Sequence, residues 1–376
     1  VVLAIFTDIS PSTSKTDNIL KDKAIFVLVP PKPYTLEMPN FGDRALHEGM
    51  RKLLKSSYDQ ELIYDEWNSF PRMTLSRLNA RDMGAIEQFK QWHSQFQQTT
   101  KTSAQLQQRL SEILFGPALS WLPVWDLLDR LARERTGLMG REAVAPRLFP
   151  GLSARKFGNR LAASDAVIMN AGGLIADHLS HYLPGRIFAL LAAQMSGKPV
   201  ALVNYSFAVT RPDLLAWVSP VLRAIDLHAV RESHSRKSLL SIGVKPEKIV
   251  VVPDAAFAVD TPGSQDLKNS QFTIALQVRG DRQQDIEAWA KLINELRMRF
   301  DARVVFLVGC CKHDPPVLAR LQKATTVESA AGHGSLSQLQ QAIGSADILI
   351  SDRYHGAVFA TQMGTPFIPL SGTTHK

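Results

Sequence analysis

The chain reads as an α/β protein of two Rossmann-like domains facing a cleft, with a helical insertion in the first domain. Three observations lead there. Short apolar runs of strand length alternate with amphipathic helical stretches along most of the sequence, the pattern of parallel sheets covered by helices on both faces. Residues 261–270, rich in Gly, Ser, Pro, Asp and Asn, mark a linker between two such sets. A length of 376 residues exceeds one typical domain and suits two. The expected division is 1–262 and 263–376.

The elements follow in order. Residues 25–29 form a buried strand, and Pro30 and Pro31 end it. After Asn40-Phe41-Gly42-Asp43 a helix carries Ala45, Leu46, Met50, Leu53 and Leu54 on one side. Residues 166–169 form the next strand, running into the Gly turn Asn170-Ala171-Gly172-Gly173. A helix over 187–195, a strand over 199–203, a helix over 214–224 and a strand over 227–230 come next. A helix over 233–241 and a strand over 249–252 complete the first half. Beyond the linker, strands are expected over 272–278, 303–308, 347–350 and 366–370. The helices of this half fall over 285–300, 336–343 and 356–363. Residues 82–142 break the alternation and read as three helices. The third holds Leu119, Trp121, Leu122, Val124, Trp125, Leu127, Leu128 and Leu131. A packed cap or dimer contact is its first reading, and a peripheral membrane-surface helix its second.

Composition narrows the function classes. Hydrophobic residues at 45% and charged ones at 21% are ordinary globular values, so no cofactor is needed to explain folding. The formal charge of +8 favours acidic partners. The basic residues are dispersed, without zinc-finger spacing or an aromatic-basic strip, so nucleic acid is not expected. The two cysteines, Cys310 and Cys311, are adjacent and read as buried small apolar side chains. Without a disulfide framework a reducing compartment is the simpler setting. No apolar run spans a bilayer and residues 1–10 do not read as a signal peptide. The expected address is cytoplasmic, with the inner face of the membrane as its extension. No metal-ligand spacing is present in the sequence.

The strongest site signal is the loop Ser351-Asp352-Arg353-Tyr354-His355-Gly356 between a strand and a helix. Helix N-termini carry unpaired N–H groups and the positive dipole end. Arg353 adds a forked cation, His355 a group that exchanges protons near neutrality, and Gly356 room for close backbone approach. Spacing alone leaves a second reading open, in which Asp352 caps the helix, Arg353 pairs with a carboxylate and His355 is a satisfied turn histidine. Three more loops lie at expected strand ends: Asn40-Phe41-Gly42-Asp43, Asn170-Ala171-Gly172-Gly173 and Val278-Arg279-Gly280-Asp281.

These loops, together with Lys198-Pro199-Val200, Val230-Arg231-Glu232-Ser233, Gly243-Val244, Pro253-Asp254-Ala255-Ala256-Phe257, Asp347-Ile348-Leu349-Ile350 and Gly364-Thr365-Pro366-Phe367, make the chain similar to the polysaccharide pyruvyl transferase family. The resemblance spans most of the chain outside 82–142. Tyr354 stands where the family usually has Leu, and Glu232 where it has Asp. The resemblance implies a two-domain fold like that of GT-B glycosyltransferases, with the acceptor on the first domain and the donor on the second. It implies phosphoenolpyruvate as donor and a sugar or glycan, free or lipid-linked, as acceptor, and a pyruvate ketal on a cell-surface polysaccharide or its precursor. Arg353 and His355 then belong to the donor site, with Arg279 as a second anion clamp. Asn40, Gly42, Gly172, Gly173, Arg231, Tyr354 and Gly356 fall in the substrate-binding set.

The residue types suit this chemistry. His355 is placed to protonate the enol carbon, and Asp43 or Asp177, read as first-domain residues, to accept a hydroxyl proton. No step calls for a redox or nucleotide cofactor. Two other readings remain: a nucleotide-sugar glycosyltransferase of the same fold, and a non-catalytic binding protein. Against the first, the stretch after Glu328 contains no Glu to hold a ribose. Against the second stands the joint presence of Arg353 and His355.

Overall fold

A computed structural model describes residues 25–29, 40–57, 63–66, 160–177, 183–262, 270–330 and 335–370. The expected insertion at 82–142, including the Trp121 and Trp125 helix, lies outside the described residues. The chain divides into two compact units, one of residues 1–32 and 54–254, the other of residues 33–53 and 255–376. Asp43, read from the sequence as a first-domain residue, therefore belongs to the second unit.

The first unit holds strands β1 (Ile25–Val29), β2 (Ile63–Glu66), β3 (Ala166–Ala176), β4 (Val200–Ala208), β5 (Leu227–Val230) and β6 (Ile249–Val251). They form one sheet in the order β2-β1-β3-β4-β5-β6, and every pair is parallel. The second unit holds β7 (Thr273–Gln277), β8 (Arg303–Phe306), β9 (Glu328–Ser329), β10 (Ile348–Ser351) and β11 (Phe367–Pro369). Their order is β11-β10-β7-β8-β9, again parallel throughout. Two Rossmann-like units are thus present.

Helix α1 (Phe41–Ser57) follows β1. The first unit adds α2 (Leu183–Met195), α3 (Pro212–Ala224) and α4 (Ser233–Ser241). The second adds α5 (Ile286–Phe300), α6 (Pro315–Ala324), α7 (Leu336–Gly344) and α8 (Tyr354–Met363). Local chemistry sets several ends. Asn40 Oδ1 accepts from Gly42 N (3.0 Å) at the start of α1. Asp285 accepts from Ala288 N (3.0 Å) before α5, and Ser335 from Gln338 N (3.1 Å) before α7. Gly364, at φ 70°, ends α8 in the left-handed region.

The strand period of two sorts the second core into faces. Ala275, Val305 and Leu349 pack with Phe41 and Ala45 of α1, Leu339 of α7 and Phe359 of α8. Ile274, Leu276, Phe306 and Ile350 pack with Ile293 of α5 and Leu321 of α6. Among the described residues no helix is long and apolar enough to cross a membrane.

Two readings change. Gly172 and Gly173 do not form a turn: they lie inside the eleven-residue β3, where the register with β4 shifts between Gly172 and Ile175. Cys311 is exposed, and only Cys310 is buried. The strands β2 and β9 and the helix α6 have no counterpart in the sequence reading.

The first unit also buries a tyrosine–histidine relay. His228 is fully buried. Its Nε2 lies 3.0 Å from Leu222 O and its Nδ1 2.6 Å from the Tyr205 hydroxyl. A carbonyl only accepts, so Nε2 carries the proton and Tyr205 donates to Nδ1. Burial, with Lys248 nearby, lowers the His228 pKa to about 4, against a raising contribution from the Leu222 bond. Between pH 6.5 and about 4 the unfolded chain binds a proton at His228 and the folded chain does not. Stability contributed by the neutral ring is therefore full above that window and falls as pH drops through it, by on the order of 3 kcal/mol. Urea unfolding across this range should show the slope, and His228→Gln should remove about one proton from it. An unchanged slope in the variant would contradict the assignment.

Candidate functional site

In the second sheet the chain starts at β7, moves out through β8 to β9, and returns to place β10 on the other side of β7. Connections thus leave these two neighbouring strands in opposite directions. Ligands of doubly wound sheets sit at such a switch point, beyond the strand C-termini. Gln277 and Ser351, the last residues of the two strands, are in register, and Arg279, Asp352, Arg353 and His355 follow them directly.

Backbone and side chains knit the two strand ends together. The Ser351 hydroxyl donates to Gln277 Oε1 (3.0 Å) and accepts from Arg353 N (3.0 Å). Asp352 accepts from Arg279 N at 2.9 and 3.1 Å. It does not cap α8, whose N-cap position is Arg353. Burial raises the Asp352 pKa, opposed by the Arg279 amide and by the charges of Arg353, Arg279 and Arg282.

Both expected cations are held by carboxylates. Arg279 donates from Nε to Asp281 Oδ1 (2.9 Å) and from Nη2 to Asp281 Oδ2. This fork depresses Asp281 to about pKa 2 and raises Arg279. Arg353 donates from Nη2 to Asp314 Oδ1, so the carboxylate-paired reading of Arg353 holds. Its Nε is buried and has no hydrogen-bond partner among the described residues. Asp314 was not singled out by sequence. The available signal was Asp314-Pro315-Pro316 ahead of Val317, Leu318 and Leu321, a helix start with Pro at its first position.

His355 occupies the first turn of α8. Its ring lies 5.1 Å from Tyr354, edge-on, and 6.4 Å from Phe359. A Cβ on Gly42 would run into the His355 ring, so the first turns of α1 and α8 meet there. Asn40 bridges Cys310 and Phe41 N donates to Gly309 O (3.1 Å), which fixes the start of α1 against the loop after β8. Asp43 lies in that same first turn, and Arg44 stacks over Phe41 at 5.1 Å. Gly356 serves packing, because a Cβ there would strike Gln277 Oε1 and Ser351 Oγ. Asn40, Gly42, Asp43, Arg279, Arg353, Tyr354, His355 and Gly356 thus all lie in the second unit.

The remaining expected residues lie in the first unit. Arg231 is a buried structural cation. It donates to Asp254 (2.5 Å) and to Ser206 (2.8 Å), and its side chain is 1% exposed, which leaves no surface for a ligand. Asp177 accepts from Thr210 N (3.0 Å) and Thr210 Oγ1 (2.6 Å), bracing the turn before α3. Gly172, at φ 55°, sits in the irregular part of β3, and Gly173 is half-buried beside it. Among the described residues no group of three His, Cys, Asp or Glu is disposed to hold a metal ion.

Comparison with known proteins adds the family. No curated protein matches the chain. A UDP-GlcNAc 2-epimerase from Neisseria meningitidis, solved with UDP-GlcNAc bound, is similar at 13% identity and TM-score 0.47, over 93% of this chain and 83% of that one. The UDP-GlcNAc 2-epimerase from Methanocaldococcus jannaschii is similar at 12% identity and TM-score 0.46, over 94% and 85%. A glycosyltransferase from Rickettsia africae is similar at 12% identity and TM-score 0.41, over 93% and 79%. The family model for polysaccharide pyruvyl transferase matches residues 40–373, a span that holds every residue of the switch-point site, and the chain belongs to that family.

Proposed function

We propose that the chain transfers the pyruvyl group of phosphoenolpyruvate to a sugar of a cell-surface polysaccharide or its precursor, forming a pyruvate ketal, with the donor seated at the β7–β10 switch point. One observation carries the placement: Arg353 presents a buried, unpartnered Nε among the described residues. A buried donor without an acceptor is costly, and a carboxylate or phosphate oxygen satisfies it. Arg279, two residues beyond β7 and still about a third exposed, supplies the second cation by exchanging Asp281 for the ligand.

The chemistry follows from these positions. His355 gives a proton to the methylene carbon of the enol, leaving cationic character on the carbon that bears the phosphate. A sugar hydroxyl attacks that carbon and loses its proton to a carboxylate. The carbon–oxygen bond to phosphate breaks, the departing phosphate taking up the proton held by the carboxylate, and a second hydroxyl closes the ketal as its proton returns to the now neutral His355. Arg353 and Arg279 hold the donor's charges throughout. Asp43 is the favoured proton acceptor because it shares a helical turn with Gly42, which packs on His355. Asp177 is engaged with Thr210. Glu328, the last glutamate of the sequence, is paired with Arg303 across β8 and β9 (2.6 Å). That pair joins neighbouring strands at the β9 edge of the second sheet.

Calorimetry should show Arg353→Ala and Arg279→Ala each weakening phosphoenolpyruvate binding by about 1.5–3 kcal/mol. Arg353→Lys should recover little, because the fork is lost. Parental affinity in both Ala variants would remove the donor from this site. For His355→Gln, kcat should drop roughly 10²–10⁴-fold while the donor still binds. A folded, donor-binding variant with parental kcat would exclude His355 as the acid.

A further inference from the structure

Asp314 gathers an unusual set of donors. Its side chain is fully buried. Oδ1 accepts from Gly280 N (2.9 Å) and from Arg353 Nη2. Oδ2 accepts from Gly309 N (2.9 Å) and Cys310 N (2.7 Å). These four donors come from three loops, those after β7, β8 and β10. Gly309 is also pressed against Arg353, since a Cβ there would meet Arg353 Cδ at 2.6 Å and Nε at 2.8 Å.

We propose that Asp314 is the positioning residue of the anion site: one carboxylate that orients the Arg353 fork toward the donor and locks the two loops that wall it. This inference rests on the donor reading above. Two effects of removing the charge oppose each other. Losing the countercharge would strengthen Arg353 as an anion receptor. Losing the acceptor would release the fork and the loops. An Asn side chain keeps one acceptor oxygen and turns an NH2 toward two of the four N–H donors, which leaves buried donors facing each other. Disorder of the fork therefore outweighs the gain in net charge, and donor affinity falls.

The test is a double-mutant cycle on phosphoenolpyruvate affinity with Asp314→Asn, Arg353→Ala and the double variant, using thermal unfolding to count only folded protein. Asp314→Asn should weaken binding by about 10- to 100-fold. In the Arg353→Ala background the same substitution should cost at least about threefold less, because the part acting through the fork is already gone and only the part acting through the loops remains. Losses of melting temperature would appear in both backgrounds and do not decide the matter. Unchanged or tighter binding by folded Asp314→Asn overturns the proposal, as does an equal loss in the two backgrounds. If Asp314→Asn does not fold, Asp314→Glu replaces it, since it keeps the charge while moving the carboxylate off the N–H groups and the fork that it holds. Weakened binding supports the proposal and parental binding overturns it. If the parent ignores phosphoenolpyruvate but binds inorganic phosphate, the donor reading fails and the same cycle run with phosphate decides the role of Asp314. A parent that binds neither anion overturns both.

Discussion

The hydrogen bonds converging on the Asp314 carboxylate organise the functional end of the second unit. An ionised group in an apolar interior is strongly unfavourable unless its lone pairs are met. Here Gly280 N, Gly309 N, Cys310 N and the Arg353 guanidinium meet them. Satisfying the carboxylate therefore requires three strand-end loops to adopt one arrangement together. The consequence extends along the chain, because Cys310 also bridges Asn40 and the helix that Asn40 starts brings Gly42 against His355. The cation and the proposed acid are thereby set by one connected framework.

Sheet topology supplies the place and polar chemistry fills it. The order β11-β10-β7-β8-β9 leaves a crevice where connections diverge from β7 and β10. The middles of these strands are apolar and buried, while Gln277 and Ser351 at their ends are buried but hydrogen-bonded to each other. The first unit uses an arginine at the end of β5 differently. Arg231 is closed in by Asp254 and Ser206, whereas Arg353 keeps a donor without an acceptor among the described residues. Two arginines in similar strand-end loops thus have separate roles, one in the core and one proposed at a ligand.

Much of this was legible in sequence because it is local. Strand and helix periods in residues 227–241 and 286–300 fix their elements within a residue or two, and the loop from Ser351 to Gly356 stands out by composition. What escaped depends on partners far along the chain. Asp314 meets Arg353 from 39 residues away, and the helix start at Pro315 that it precedes says nothing of that partner. Arg231 carries the same charge as Arg353, and only the packing of Ser206 and Asp254 around it separates a closed-in structural arginine from one that keeps a donor to spare. Gly172 and Gly173 carry turn composition, yet pairing with β4 draws them into a strand. The placement of α1 with the second core rests on Phe41 and Ala45 packing among residues some two hundred or more positions later, which no local pattern announces.

The roles proposed for Arg353, Arg279 and His355 all depend on the donor binding at the switch point of the second sheet. A crystal structure of the chain with phosphoenolpyruvate tests it most directly. The ligand should lie beyond the C-terminal ends of β7 and β10, with a carboxylate or phosphate oxygen on Arg353 Nε and Asp281 displaced from Arg279. Phosphoenolpyruvate found instead at the strand ends of the first sheet, with Arg353 still bonded only to Asp314, would contradict it.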